Sequence, residues 1–246
     1  MSTHTEQVVM ADGLHKSFGG VMPARNVSFV VEAGELRCLI GPNGAGKSTL
    51  FKLIAGIEQP DRGDVFLFGR DVTAQPPFRR IRLGVGVKLQ SNRAYKQLGV
   101  DRNVRVADIV ARRLNGHAGR GAGVTRAEAM ALFGIAHLAD GRRLVSELSH
   151  AEQQWLEICC AISENVGLLL LDEPTAGMGV EETEASGRAL LALRERGMTV
   201  VVVEHDMAFV RQVADRVTVL HQGEIFAEGA MDDLAGRSDV REIYLG

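Results

Sequence analysis

Gly41, Pro42, Asn43, Gly44, Ala45, Gly46, Lys47, Ser48 and Thr49 form a GxxxxGK[ST] segment, a spacing that suits a phosphate cradle. Glycines let successive backbone N–H groups turn inward around phosphate oxygens, and a helix starting at the segment's end adds a favourable field. Lys47 would meet the β and γ phosphates of a nucleoside triphosphate, and the Ser48 hydroxyl would ligate Mg2+. A second group is Leu168-Leu-Leu-Leu-Asp-Glu173, an apolar run ending in two acids. Asp172 suits Mg2+, held directly or through water, and Glu173 is placed to polarise an attacking water. Taken alone, two acids at a strand end could equally be a solvated turn. His205 follows the run Val200–Val203 and Glu204, where it could reach a γ-phosphate. Gln90 ends the run Val85–Leu89 and could reach Mg2+ or the water.

These residues need a scaffold that brings them to one edge. Leu36–Ile40 runs into Gly41, just as the other runs meet their polar ends. Short continuous apolar runs suit strands covered on both faces in a parallel sheet, where ligands bind beyond the carboxyl ends. Helices follow them. One spans about 181–196, with Glu181, Glu182 and Glu184 in its first turn, Arg194 and Arg196 in its last, and Gly197 as its stop. Thr125 and Glu128 have capping-box spacing for a helix running to about Phe133. Strands alternating with helices indicate an α/β fold. Val8–Phe29 and Asp64–Phe68 read as half-exposed strands of a separate antiparallel patch, and residues 91–154 read as helical. Between Arg112 and Val124, Gly116, Gly119, Gly121 and Gly123 lack a preceding strand and suggest a mobile loop.

Composition narrows the class. The 246 residues are 46% hydrophobic, 24% charged and 5% aromatic, which excludes collagen-like, low-complexity and disordered chains. A net charge of -3 argues against nucleic acid as a partner. The three cysteines, Cys38, Cys159 and Cys160, make neither a disulfide framework nor a metal clip, and are expected to be reduced core residues. Met1–Met10 carries no signal pattern, and no run approaches the roughly 18 apolar residues of a membrane helix. The expectation is a cytosolic chain that meets a membrane only through a partner.

In chain order, the phosphate loop, Gln90, Leu148-Ser-His-Ala-Glu-Gln-Gln154, Leu168–Glu173, Ala176-Gly-Met-Gly179 and His205 resemble ABC-transporter ATP-binding subunits over essentially the whole chain. The resemblance implies a RecA-like P-loop NTPase core with an antiparallel β subdomain and a helical subdomain. The whole chain, 1–246, would be one such domain, with core and β subdomain at about 6–90 and 155–246 and helical subdomain at about 91–154. It further implies ATP and Mg2+ as cofactors and a head-to-tail dimer, homomeric or heteromeric, enclosing two ATP molecules. Phe18 would stack on adenine, while Ser149, His150, Ala151 and Glu152 would touch ATP bound to the other subunit. More narrowly, Gln154-Trp-Leu-Glu-Ile158, Val201–Val210, Val217–His221 and Tyr244-Leu-Gly246 resemble importers of branched-chain amino acids and urea or amides, the urea-type branch most. The partners so implied are integral-membrane permease subunits and, through them, a solute-binding protein. The cassette would then sit on the inner face of the cell membrane.

Two positions depart from the family pattern. Family signatures read LSGGQ or LSxGE, whereas the fourth position here is Ala151, putting a methyl where backbone should approach phosphate. Ser149 and Glu152 also have capping-box spacing, so the segment could simply start a helix; a capped N-terminus is itself an anion site. Leu89 replaces the usual phenylalanine in a stretch expected to face the permease. A non-transport ABC switch and a slow-hydrolysing ATP-gated subunit are the alternatives.

Overall fold

The computed structural model describes residues 6–91, 93–114, 121–139, 141 and 143–245. Two sheets organise them. The first is antiparallel, built from β1 (Gln7–Phe18), β2 (Val21–Glu32), β4 (Arg62–Leu67) and β5 (Arg70–Asp71) in the order β2-β1-β4-β5. The expected antiparallel patch is therefore present. Its alternating burial, clearest at the end of β2, follows from one face packing inward and the other meeting solvent.

The second sheet holds β3 (Leu36–Ile40), β6 (Val85–Lys88), β7 (Leu168–Asp172), β8 (Thr199–Val203), β9 (Arg216–His221) and β10 (Glu224–Gly229). Its order is β10-β9-β3-β8-β7-β6, with every neighbour parallel except the β9–β10 hairpin. All residues of β3, β7 and β8 are buried, as the continuous apolar runs require. Register fixes the functional edge: Leu39 and Asp172 both pair with Val203.

The helices are α1 (Lys47–Ala55), α2 (Pro77–Arg82), α3 (Val100–Leu114), α4 (Arg126–Leu132), α5 (His150–Ala161), α6 (Val180–Glu195), α7 (Met207–Val213), α8 (Met231–Gly236) and α9 (Ser238–Leu245). One core cluster joins one face of the large sheet to α4, α5, α6 and α7. The other joins its opposite face to α1 and the antiparallel sheet. The helix read around 181–196 is α6, and Thr125 caps α4 with both capping-box bonds. Residues 91–154 hold helices and no strand of either sheet among the described residues.

The glycine-rich stretch differs from expectation at its end. Gly116 and Gly119 lie outside the described residues, but the Ala122 N–H donates to the Val166 carbonyl and the Gly123 N–H to that of Glu164. A Cβ on Gly121 would stand 2.0 Å from the Glu164 oxygen, so close packing explains that glycine. The three cysteines are free, with Cys38 and Cys159 buried. Among the described residues, no helix is long and apolar enough to cross a membrane.

Arg80 secures the far end of α1. Fully buried, it donates to the carbonyls of Leu53 (2.7 Å) and Ile54 (2.8 Å) at the helix C-terminus, and to Val72 (2.8 Å) and Gln75 (3.0 Å). The carbonyls of Leu53 and Ile54 lie in the last turn of α1, where a helix lacks further N–H groups of its own to meet them fully. Arg80→Ala should cost about 3 kcal/mol, from orphaned carbonyls plus a cavity, read as a lowered urea midpoint.

Candidate functional site

The phosphate loop joins β3 to α1, and its glycines are demanded by the chain itself. A Cβ on Gly41 would stand 2.2 Å from the Leu220 carbonyl oxygen, and one on Gly46 would stand 2.1 Å from that of Pro23. Both have positive φ, at 149° and 105°. Pro42, Asn43, Gly44, Ala45 and Thr49 complete the loop, and Ser48 is exposed beside it. No side chain caps the N-terminus of α1 and no acid stands in its first turn, so its N–H groups stay available to an anion. Lys47 folds back, donating to the Gly41 (2.6 Å) and Pro42 (3.0 Å) carbonyls. Burial lowers its pKa, opposed by the charges of Glu173 and Asp172.

Across the sheet, Asp172 is only 4% exposed and its Oδ1 has no hydrogen-bond partner among the described residues. Burial raises its pKa, the Glu173 charge adds to that, and Lys88, Lys52 and Lys47 oppose it. A buried carboxylate oxygen without a donor is costly unless a cation or water meets it, and an oxygen-seeking cation such as Mg2+ fits. Glu173 adopts φ +47°, an uncommon conformation for a non-glycine residue, fixed by its N–H donating to the Val203 carbonyl at 3.0 Å. The turn sets its carboxylate beside Gln90, whose Nε2 donates to Oε2 at 2.7 Å. His205, with a 63% exposed side chain, places Nδ1 4.0 Å from Glu173 Oε1. Lys47, Asp172, Glu173, Gln90 and His205 thus meet at one sheet edge.

Phe18 lies apart from these groups, at the tip of the β1–β2 hairpin, 45% exposed and with Lys16 Nζ 5.2 Å from its ring centre. It pairs with Val21, two residues before the Pro23 carbonyl that abuts Gly46, so the hairpin reaches the phosphate loop.

Ser149 caps α5, accepting from the Glu152 N–H (3.2 Å) while Glu152 accepts from the Ser149 N–H (2.7 Å). The helix-start reading of this segment therefore holds. The expected methyl obstruction does not: Ala151 is 1% exposed, its methyl packed into the core, and the exposed residues are Ser149 and His150. The 3.6-residue period turns Ala151 inward when Ser149 faces out. His150 Nε2 stands 2.9 Å from the Ala176 carbonyl and fills the space a Cβ on Gly177 (φ +78°) would take. One imidazole thus joins the α5 start to the Ala176–Gly179 loop.

Two residues escaped the sequence reading. Glu204, fully buried, accepts from the Thr175 N–H (3.1 Å) and Oγ1 (2.6 Å) and from the His205 N–H (3.1 Å). It braces the turns after β7 and β8, and an acid ending a buried strand, as Asp172 does, was the available signal. Lys88 ends β6 as a buried ammonium with no hydrogen-bond partner among the described residues. Nothing in its local sequence marks it.

The chain matches known proteins along most of its length. The ABC transporter family pattern matches residues 24–176. An uncharacterized ABC transporter ATP-binding protein of Rhizobium meliloti (strain 1021) is 34% identical over 243 residues, covering 97% of this chain and 86% of the relative. The high-affinity branched-chain amino acid transport ATP-binding protein BraF of Pseudomonas aeruginosa is 31% identical, covering 97% and 98%. A putative ribose/galactose/methyl galactoside import ATP-binding protein of Agrobacterium fabrum is 33% identical, covering 99% of this chain but 47% of its own. Among solved structures, the ADP conformation of MJ1267, an ATP-binding cassette of an ABC transporter, superposes with a TM-score of 0.85 at 26% identity, covering 98% and 100%.

Because the Ala151 methyl is internal, Ala151→Gly should lower stability by about 0.5–1 kcal/mol and leave nucleotide hydrolysis no faster. Thermal unfolding and phosphate release measure both effects; a faster variant would mean that the methyl does hinder the phosphate.

Proposed function

This chain belongs to the ABC transporter family as an ATP-binding cassette, and we propose that it hydrolyses Mg-ATP to drive an importer. The observation that carries the proposal is the meeting of an unpartnered buried Asp172 oxygen, a Gln90–Glu173 hydrogen bond and Lys47 at one sheet edge.

Lys47 exchanges its loop carbonyls for the β and γ phosphates, while backbone N–H groups of the loop and of the uncapped start of α1 turn toward them. Ser48, Gln90 and Asp172 would hold Mg2+, which when bound draws charge from the phosphate oxygens. Glu173, aimed by Gln90, orients a water and takes its proton as the water oxygen bonds to the γ-phosphorus. The bond from that phosphorus to the bridging oxygen breaks and ADP leaves with the electron pair. His205 steadies the γ-phosphate through its exposed ring. Phe18 stacks on adenine beyond the phosphate loop. Such catalysis rests on positioning and charge stabilisation.

In a head-to-tail pair, Ser149, His150 and Glu152 at the start of α5 face ATP held by the second subunit, with Ala151 acting only from within the core. The pair is of two copies or of two different cassettes. ATP then favours the closed pair because both subunits contribute to each site. Beside Gln90, Val87, Leu89, Tyr95, Val106, Val110 and Ala161 line a largely apolar groove of about 290 Å³. Tyr95 and Val110 are exposed at its rim, which suits an apolar segment of an integral-membrane permease. In this reading the cassette sits on the inner face of the membrane through that permease. The solute, delivered by a binding protein, is a branched-chain amino acid, urea, an amide or a related small polar molecule. BraF, which matches over 97% of this chain and 98% of its own length, supports this class.

Lys47→Ala and Glu173→Gln should each slow Mg-ATP hydrolysis about 100-fold or more, with Glu173→Gln retaining ATP binding. Phosphate release and equilibrium ATP binding are the measurements. Wild-type rates in both variants would contradict the proposed roles.

A further inference from the structure

Helix α5 carries one acid to which the foregoing chemistry gives no task. His150, Glu157 and Ala161 are spaced i, i+7 and i+11, so they share one face of the helix. His150 meets the Ala176 carbonyl at the start of that face. At its end the Ala161 carbonyl oxygen lies 2.6 Å from where a Cβ on Gly86 would stand, so bare backbone lets α5 lie against β6. Glu157 falls between. Its Oε1 accepts from the backbone N–H groups of both Arg93 and Ala94, the latter at 2.7 Å. Arg93 follows Gln90 by three residues, on the chain leaving β6.

Two successive N–H groups meeting on one oxygen fix both the place and the direction of the chain. A charged acceptor makes such bonds shorter and stronger than a neutral one does. A second tie follows from α3. Asn103, 5% exposed, accepts from the Tyr95 N–H (2.8 Å) and donates to the Tyr95 and Gly99 carbonyls (3.1 and 3.0 Å). Arg93, Ala94 and Tyr95 are thus held by two helices. Upstream, Gln90 donates to Glu173 Oε2 at 2.7 Å. Gln90 is exposed, and so long a side chain is free to leave its partner unless its backbone is held. Asn103 ties the segment to residues just beyond it, whereas Glu157 ties it to the helix that starts at Ser149.

We propose that Glu157 is a positioning residue for hydrolysis. By pinning Arg93 and Ala94 to α5 it holds the chain beyond Gln90, and so keeps the Gln90 amide on the Glu173 carboxylate. Leu89, Arg93, Ala94, Tyr95 and Glu157 itself line the groove beside Gln90, so a segment seated there bears on the tie and through it on the water-orienting acid. The inference rests on the ATPase reading of the site, and adds a side chain that touches neither nucleotide nor metal.

The test measures kcat and KM for Mg-ATP in the purified full-length chain and in Glu157→Met, Glu157→Gln, Gln90→Ala and the Glu157→Met, Gln90→Ala pair. Glu157→Met should lower kcat about fivefold with KM changed less than about twofold, the signature of an interaction that matters in the transition state. Glu157→Gln, which keeps an acceptor oxygen in place, should recover most of kcat. Gln90→Ala should lose about 10-fold, and the pair should be no slower than Gln90→Ala alone, because the tie then has nothing left to aim. A wild-type kcat in Glu157→Met overturns the proposal. So does a pair in which the two losses multiply, which marks a tie that serves the fold alone. If Glu157→Met does not fold, Glu157→Asp, whose carboxylate is drawn back by a methylene, is read by the same two outcomes, alone and with Gln90→Ala. A wild-type chain that hydrolyses no Mg-ATP overturns the reading of the site instead, so the two failures are distinguishable.

Discussion

The parallel ladder joining β3, β8 and β7 is the constraint on which the rest of the site depends. Leu39 and Asp172 flank Val203 in register, and the next residues bond across the same line. The Glu173 N–H donates to Val203 and the Glu204 N–H to Leu39. Three strands therefore end together, and each continues at once into chemistry: Gly41 after β3, Glu173 after β7, Glu204 and His205 after β8. Slipping β7 by one residue would turn Asp172 to the opposite face and place Leu171 at the edge. The apolar side chains of these strands, buried on both faces, hold the register against that slip.

The edge so made is rich in charge, much of it buried. Asp172, Lys47, Lys88 and Glu204 are all buried, yet only Lys47 and Glu204 have hydrogen-bond partners among the described residues for their charged atoms. Such an arrangement is costly in an empty protein and becomes favourable when a polyanion and a cation complete it. Glu173 adds backbone strain at the same place, as is common where geometry serves function. Rigidity is supplied nearby: Arg80 fixes the C-terminus of α1, Glu204 braces two turns, and His150 joins two loops.

Much of this was legible in the sequence because it is local. The phosphate loop, the acids ending β7, the capped start of α4 and the full course of α6 follow from spacing, periodicity and end signals within a dozen or so residues. What escaped depends on contacts distant in sequence. Whether the Ala151 methyl faces phosphate or core is decided by α5 packing on the sheet, which no LSxGE comparison contains. Lys88 looks like an ordinary strand-end lysine until Gly86 admits α5 beside it. Gly121 reads as a loop glycine, but its lack of a side chain is required by the backbone of Glu164. No motif along the chain names a solute, so on that point this sequence carries only its family likeness.

The central claim is that these buried charges form a site for a metal-bound triphosphate. Isothermal titration of the purified chain with ATP, first with Mg2+ and then with excess chelator, tests it most directly. The account predicts one ATP per chain, affinity falling about 10-fold or more without Mg2+, and no comparable binding of AMP. Equal affinity for AMP and ATP, or ATP binding indifferent to Mg2+, would contradict it.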